Sequence, residues 1–195
     1  MGSPEADGQL YIRYLREGDK EALRALFLKH KDSLTFFLYG IVHDAEDAEE
    51  LMMDTFAVLA SRTAHYSIRK DAEFKTWLYA VARNQARAFL RRHREIPSEI
   101  WEDAELMDGK DAGTHGASPE QAMLRDERNA QLWKAMRSLH PDYAQVLYLS
   151  YFEGMTPSEI GRIMKKTEKQ IYNLSARAKT ALKGKLEGTK YSWDI

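Results

Sequence analysis

Eight basic residues, Arg162, Lys165, Lys166, Lys169, Arg177, Lys179, Lys183 and Lys185, share the stretch from Arg162 to Lys185 with one acid, Glu168. The whole 195-residue chain has a formal net charge of −1, so the concentration is local. Such a stripe attracts phosphate backbones and releases their counterions. Its plainer reading is a solvated basic helix. A second basic stretch, Phe74 to Arg94, carries Lys75, Arg83, Arg87, Arg91, Arg92 and Arg94 and no acid. Asn84 and Gln85 sit among these arginines. Arginine suits phosphate, amides suit base edges, and nearby aromatics suit unstacked bases. Here too a cationic surface helix packed through its aromatics is the alternative. A third stretch, Asp44 to Phe56, is acidic through Glu46, Asp47, Glu49, Glu50 and Asp54. Acids in a first turn complement the helix dipole, and an acidic face also suits docking of a protein partner.

The same inventory argues against catalysis. The six histidines, His30, His43, His65, His93, His115 and His140, are scattered and never fall at metal-binding i, i+4 spacing. No nucleophile motif and no phosphate-cradling glycine loop is present. The acidic stretch offers its carboxylates from one helix, whereas metal sites need ligands converging from several segments. No catalytic residue, metal site or cofactor is expected, and the chain does not read as an enzyme. The absence of cysteine excludes disulfides and cysteine zinc sites. No apolar run reaches membrane-spanning length and no secretory signal opens the chain, so a cytoplasmic protein is expected.

These residues need elements to position them. Thr156, Pro157 and Glu159 form the start of a helix with a capping box, and Ile160, Ile163 and Met164 give it one apolar face. Thr167 with Gln170 makes a second box shortly after Met164. Two boxes this close are the sequence form of a helix-turn-helix. Gly161 reads as small where a partner helix crosses. Upstream, Asp7 is expected to cap a helix over 8–16 that ends near Gly18. Asp19 caps a longer one with a stripe from Leu23 to Ile41 that includes His30, read as a packing residue. Asp44 caps a helix whose inner face is Ala48, Leu51, Met52, Thr55, Phe56 and Leu59. Asp71 caps the helix from Phe74 to Arg94, with Phe74, Trp77, Leu78, Val81, Ala88 and Phe89 as its core stripe. The segment 61–73 reads as a polar loop. Ile96 to Ser118 holds six acids against one lysine, with glycines and a proline, and reads as a linker. Ser118 opens a further helix to about Ser138. Pro141 starts another, carrying Val146, Leu147, Leu149, Ser150 and Tyr151 and stopped at Gly154.

The order of DAEDAEELMMDTF, FKTWLYAVARNQARAFLRR, an acidic linker and a terminal helix-turn-helix resembles bacterial RNA polymerase sigma factors of the extracytoplasmic-function class. The resemblance runs from about Leu10 to Leu186. It implies an all-α fold of two small helical domains: region 2 over 1–95, a linker over 96–118, region 4 over 119–187 and a short tail over 188–195. It also implies a transcription initiation factor that docks on core RNA polymerase through Asp47, Glu50 and Asp54. The minus-ten promoter element is then opened by Lys75, Arg83, Asn84, Arg87 and Arg91. The minus-thirty-five element is read as duplex by Lys166, Lys169, Gln170, Asn173 and Arg177. Tyr172 stands where the family often has a basic residue. Lys165 stands where many relatives have the turn glycine, so a shifted turn or backbone strain is expected. The resemblance further implies promoter DNA and an anti-sigma protein as partners and a monomer when free. The remaining alternative is a helix-turn-helix regulator that binds a duplex operator without polymerase.

Overall fold

The computed structural model describes residues 6–62, 74–93 and 127–187, and every regular element among them is helical. The expected 96–118 linker, the Asp71 cap, the Ser118 box, the tail and most of the 61–73 loop lie outside the described residues.

The first half contains α1 (Asp7–Glu17), α2 (Lys20–Val42), α3 (Ala45–Ala60) and α4 (Phe74–His93). Asp19 caps α2 by accepting from the amides of Glu21 and Ala22, and Asp44 caps α3 by accepting from Asp47. The inner face of α3 is the expected one, with Ala48, Leu51, Met52, Thr55, Phe56 and Leu59 all buried. Two tyrosines bind α1 to the end of α3. The Tyr11 and Tyr14 hydroxyls donate to the carbonyls of Leu59 and Ala60, at 3.1 and 2.6 Å. Carbonyls in the last turn of a helix lack partners within it; Ala60 finds one in Tyr14, and Leu59 accepts from Tyr11 as well as from the Arg62 amide at 3.3 Å. Burial pushes the Tyr11 hydroxyl up to about 12.

Asp7 does not cap α1. It lies inside the first turn, after Ala6, which makes no side-chain cap. Its carboxylate instead pairs with Lys29 Nζ at 2.6 Å and His30 Nε2 at 2.8 Å. Burial opposes ionisation of Asp7, but the hydrogen bonds from Lys29 and His30 outweigh it and hold the carboxyl below its usual value. Burial likewise pulls His30 below its ordinary value against the pull of Asp7. His30 is therefore a core residue, as its place on the stripe implied, with a partner that spacing alone did not supply.

The second half contains α5 (Glu127–Arg137), α6 (Pro141–Leu147), a π-helical turn over Tyr148–Phe152, α7 (Pro157–Met164) and α8 (Glu168–Leu186). The helix opened by Pro141 widens at Tyr148, and the wider turn shifts the register of the residues beyond it. Tyr151 is 54% exposed, while Tyr148 is buried and donates to the carbonyl of Ser33 on α2 at 2.8 Å. The α7–α8 unit carries both capping boxes complete, on Thr156/Glu159 and Thr167/Gln170. Ile160, Ile163, Ile171, Leu174, Ala178 and Leu182 close its core.

The turn between α7 and α8 confirms strain at Lys165, which is left-handed at φ 56° and ψ 44°. That conformation costs a non-glycine residue roughly 1–2 kcal/mol. The amide of Lys166 then donates to the carbonyl of Gly161 at 3.0 Å. A Cβ on Gly161 would lie 2.6 Å from the Lys166 carbonyl oxygen. The glycine thus admits the turn's own backbone, and the crossing-helix explanation is replaced by this closer contact.

The two halves pack together, α2 against α6 and α4 against α7. This covers α4 on two sides and displaces its inner face from the expected stripe. Phe74 and Leu78 are buried as anticipated, but the remaining buried positions are Thr76, Tyr79, Ala82, Arg83, Ala86 and Leu90. Trp77, Val81, Ala88 and Phe89 are only half-buried. A stripe drawn for one apolar neighbour misplaces the interior of a helix covered on two sides.

Candidate nucleic-acid interface

The α8 helix presents its polar side to solvent because Ile171, Leu174, Ala178 and Leu182 anchor the opposite side. Lys169, Gln170, Asn173 and Arg177 are all exposed. The Gln170 amide is partly committed: its oxygen accepts from Thr167 N at 2.8 Å and from Thr167 Oγ at 3.2 Å, leaving its NH2 group as the end free to read. Tyr172, at 62% exposed, stands between Lys169 and Asn173 on the same side. Lys166 lies back from this face, in the turn, with Nζ 3.7 Å from Asp142 Oδ2.

The basic residues of α4 are divided. Asn84 and Arg91 are exposed and Arg87 is half-buried. Arg83 is 4% exposed, and its placement differs from that of a surface cation awaiting phosphate. Its Nε donates to Gln145 Oε1 at 2.7 Å and its NH2 to Asp142 Oδ1 at 3.3 Å, both on α6. The remaining guanidinium nitrogen, NH1, is buried without a hydrogen-bond partner. Burial lowers the Arg83 pKa from its ordinary value, with the Asp142 carboxylate opposing the shift. Lys75 is also engaged, donating to the Glu153 carbonyl at 3.0 Å and pairing with its carboxylate at 2.5 Å. Between them Thr76 donates to Glu159 Oε1 at 3.4 Å. Burial of Glu159 opposes its ionisation, yet hydrogen bonds from Thr156 and Thr76 hold the carboxyl below its usual value.

The acidic residues of α3 come together with the end of α4. Asp47, Glu50 and Asp54 line a shallow groove with Leu51, Phe89, Arg92 and His93. Glu50 and Asp54 are exposed and Asp47 is half-buried. Phe89 and His93 stack across one turn with ring centroids 4.1 Å apart. The family resemblance singled out the three acids, whereas helical spacing set Phe89 in the core and gave no sign that Arg92 and His93 share their groove. Among the described residues no group of three or more His, Cys, Asp or Glu converges as a metal site, and no helix is long and apolar enough to cross a membrane.

Residues 26–96 match the profile of Sigma-70 region 2, and residues 129–182 that of Sigma-70, region 4. The RNA polymerase sigma-H factor of Pseudomonas aeruginosa is 34% identical over 185 residues, covering 93% of this chain and 94% of that protein. The ECF RNA polymerase sigma-E factor of Haemophilus influenzae is 27% identical over 92% of this chain and 95% of its own length. Two solved structures share the fold. CnrH in complex with the cytosolic domain of CnrY superposes at a TM-score of 0.62 and 19% identity, covering 95% of this chain and 100% of that one. The sigma factor RpoE in complex with the anti-sigma factor NepR, from Bartonella quintana, gives 0.60 at 18% identity, over 86% and 98%.

Proposed function

Because this chain belongs to the extracytoplasmic-function class of sigma-70 family factors, which direct RNA polymerase to promoters, we propose that its basic helices divide promoter recognition between them. The α8 helix reads the minus-thirty-five element in the major groove. Lys169 and Asn173 face base edges, Gln170 offers its NH2 group, and Arg177 and Lys166 hold the backbone. The α4 helix works on the minus-ten element, where Asn84 reads an unstacked base and Lys75, Arg83, Arg87 and Arg91 hold the opened strand. Opening is driven by binding energy and is not itself a catalytic step. The Asp47, Glu50 and Asp54 groove docks on core RNA polymerase. These roles assign 1–95 to region 2, 96–118 to a linker, 119–187 to region 4 and 188–195 to a tail.

The observation that supports this most strongly is the exposed basic face of α8 behind a doubly boxed turn. Both structural neighbours are complexes with a second protein, and one of them is a sigma factor bound to a protein named as an anti-sigma factor. By analogy the chain takes an anti-sigma partner, is a monomer when free, and acts in the bacterial cytoplasm.

Replacing Asp47 and Glu50 by lysine tests the docking role. Affinity for core polymerase should fall while binding to isolated DNA is unchanged or raised. Unchanged polymerase affinity would remove the docking assignment. Alanine at Lys169 and Asn173 should relax upstream sequence preference with polymerase binding intact. A folded chain that never binds core polymerase, even as the 1–95 fragment, would return the assignment to an operator-binding regulator.

A further inference from the structure

The contacts that cover α4 have a common chemistry. Over the two turns from Lys75 to Arg83, about 12 Å of helix, three polar side chains meet oxygen acceptors of the second half. Lys75 meets Glu153, Thr76 meets Glu159, and Arg83 meets Asp142 and Gln145. Asp142 also lies 3.7 Å from Lys166, so one carboxylate serves a cation from each of the two basic regions. An opened DNA strand would bring the same chemistry to α4, a row of anionic oxygens.

We propose that the α6–α7 edge is a strand-mimicking surface whose partner is α4 of the same chain, so that the free protein keeps the Lys75–Arg83 part of its minus-ten surface covered, with Asn84 and Arg91 still exposed, until a DNA strand displaces the mimic. The inference rests on the assignment of α4 as the strand-binding helix.

Two features make the contact displaceable. Buried ion pairs roughly break even against their desolvation, so these pairs give the interface specificity more than strength. Asp142 engages Arg83 through one nitrogen at 3.3 Å and leaves NH1 unpartnered, whereas a phosphate can take a guanidinium through two parallel bonds. The rest of the interface is an aromatic patch in which Tyr148 packs on Phe37, with ring centroids 6.1 Å apart, and donates to the Ser33 carbonyl. Phe36 stacks on Trp133 at 5.3 Å, Arg137 donates to the Tyr39 hydroxyl at 2.9 Å, and Gly40 meets Ala144.

The test uses the full chain. It contains no cysteine, so Ala25→Cys with Lys183→Cys gives two unique label positions, one in each half. Inter-label distance is measured by energy transfer, and strand binding with a fluorescein-labelled single-stranded DNA of mixed sequence. Asp142→Asn with Glu153→Gln removes the two carboxylates that pair with cations of α4, and circular dichroism checks the fold. Gly40→Gln is a second route, wedging the halves apart without touching any charge. If about ninety-nine molecules in a hundred are closed, apparent strand affinity is reduced about a hundredfold. Both variants should lengthen the distance and recover roughly that factor. Excess single strand should lengthen the distance in the unaltered chain. An unchanged distance in both variants overturns the proposal, and so does lengthening without tighter strand binding. Adding Arg87→Ala and Arg91→Ala to an opened variant should abolish the gain. If it does not, α4 is not the strand-binding helix, and the distance change alone still reports the contact.

Discussion

The α4 and α8 helices carry the same sequence signal and meet different fates. Each has a run of cations nearly free of acids, alternating with an apolar face. On α8 the cations stand in solvent because only one side of the helix has apolar neighbours. On α4 the second half of the chain lies over part of the basic face and buries Arg83 to 4% exposure. The difference teaches that a charged stripe identifies a face without saying what covers it. It also separates two ways of holding a cation: α8 leaves Lys169 and Arg177 exposed, whereas α4 sets Lys75 and Arg83 against carboxylates of the second half.

The sharpest way to break this comparison is to delete one cation from each helix. Arg83→Ala should destabilise the full chain by about 3 kcal/mol, because Asp142 and Gln145 lose their buried partner. Lys169→Ala should stay within about 0.5 kcal/mol, because the side chain is exposed and away from the core. Denaturant unfolding of the two variants measures both. Equal costs would mean that the two helices are equally solvated in solution.

Gly161→Ala attacks the presentation of α8 while sparing α4. Its Cβ would sit 2.6 Å from the Lys166 carbonyl oxygen, so the turn must open. A loss of about 2 kcal/mol is expected, with duplex affinity falling and single-strand affinity holding. Equal loss of both activities would show that the halves do not act separately.

Acid should act first on the half that carries α4. The Asp7 carboxyl lies below 3.8 in the fold, so its contribution is present above that value and lost as pH falls through the folded value. Burial lowers the His30 pKa from its ordinary 6.5 against the pull of Asp7, which pushes stability the same way as pH falls. Asp7→Asn should cost about 1 kcal/mol at neutral pH, and the gap to the unaltered chain should close under strong acid. Thermal melts across this pH range would show it, and a constant gap would deny Asp7 its role.

The smallest effect belongs to the turn. Lys165→Gly relieves the left-handed strain at φ 56° but gives the unfolded chain more freedom. The net gain should be about 0.5 kcal/mol, seen as a slight rise in melting temperature. A loss would mean that the lysine side chain supports the turn.

Much of the local structure was legible from residue type. Asp19, Asp44, Thr156 and Thr167 cap their helices as short polar side chains do before an apolar run. The α3 face was readable because it meets one apolar layer, for which helical spacing is sufficient. Asp7 was misplaced because it has the type of a capping residue, and its better partners, Lys29 and His30, come from another helix. The π-helical turn, and with it the outward Tyr151 and inward Tyr148, left no mark in the spacing. The candidate site divides similarly. The exposure of α8 followed from its own pattern, whereas the groove beside Asp47, Glu50 and Asp54 draws Phe89, Arg92 and His93 from a distant segment.

By itself, then, the sequence determined the helical stretches among the described residues, the capped starts of α2, α3, α7 and α8, and the sigma-factor order of its motifs. These depend on interactions within a few residues of one another, which the chain order sets directly. Only the tertiary structure decided that Arg83 lies against Asp142 and Gln145, that Gly161 admits a carbonyl, and that one acid touches both basic regions. The Arg83 contacts alone join residues 59 and 62 positions apart. Their free energy depends on how two whole surfaces exclude water together, and no local spacing encodes that.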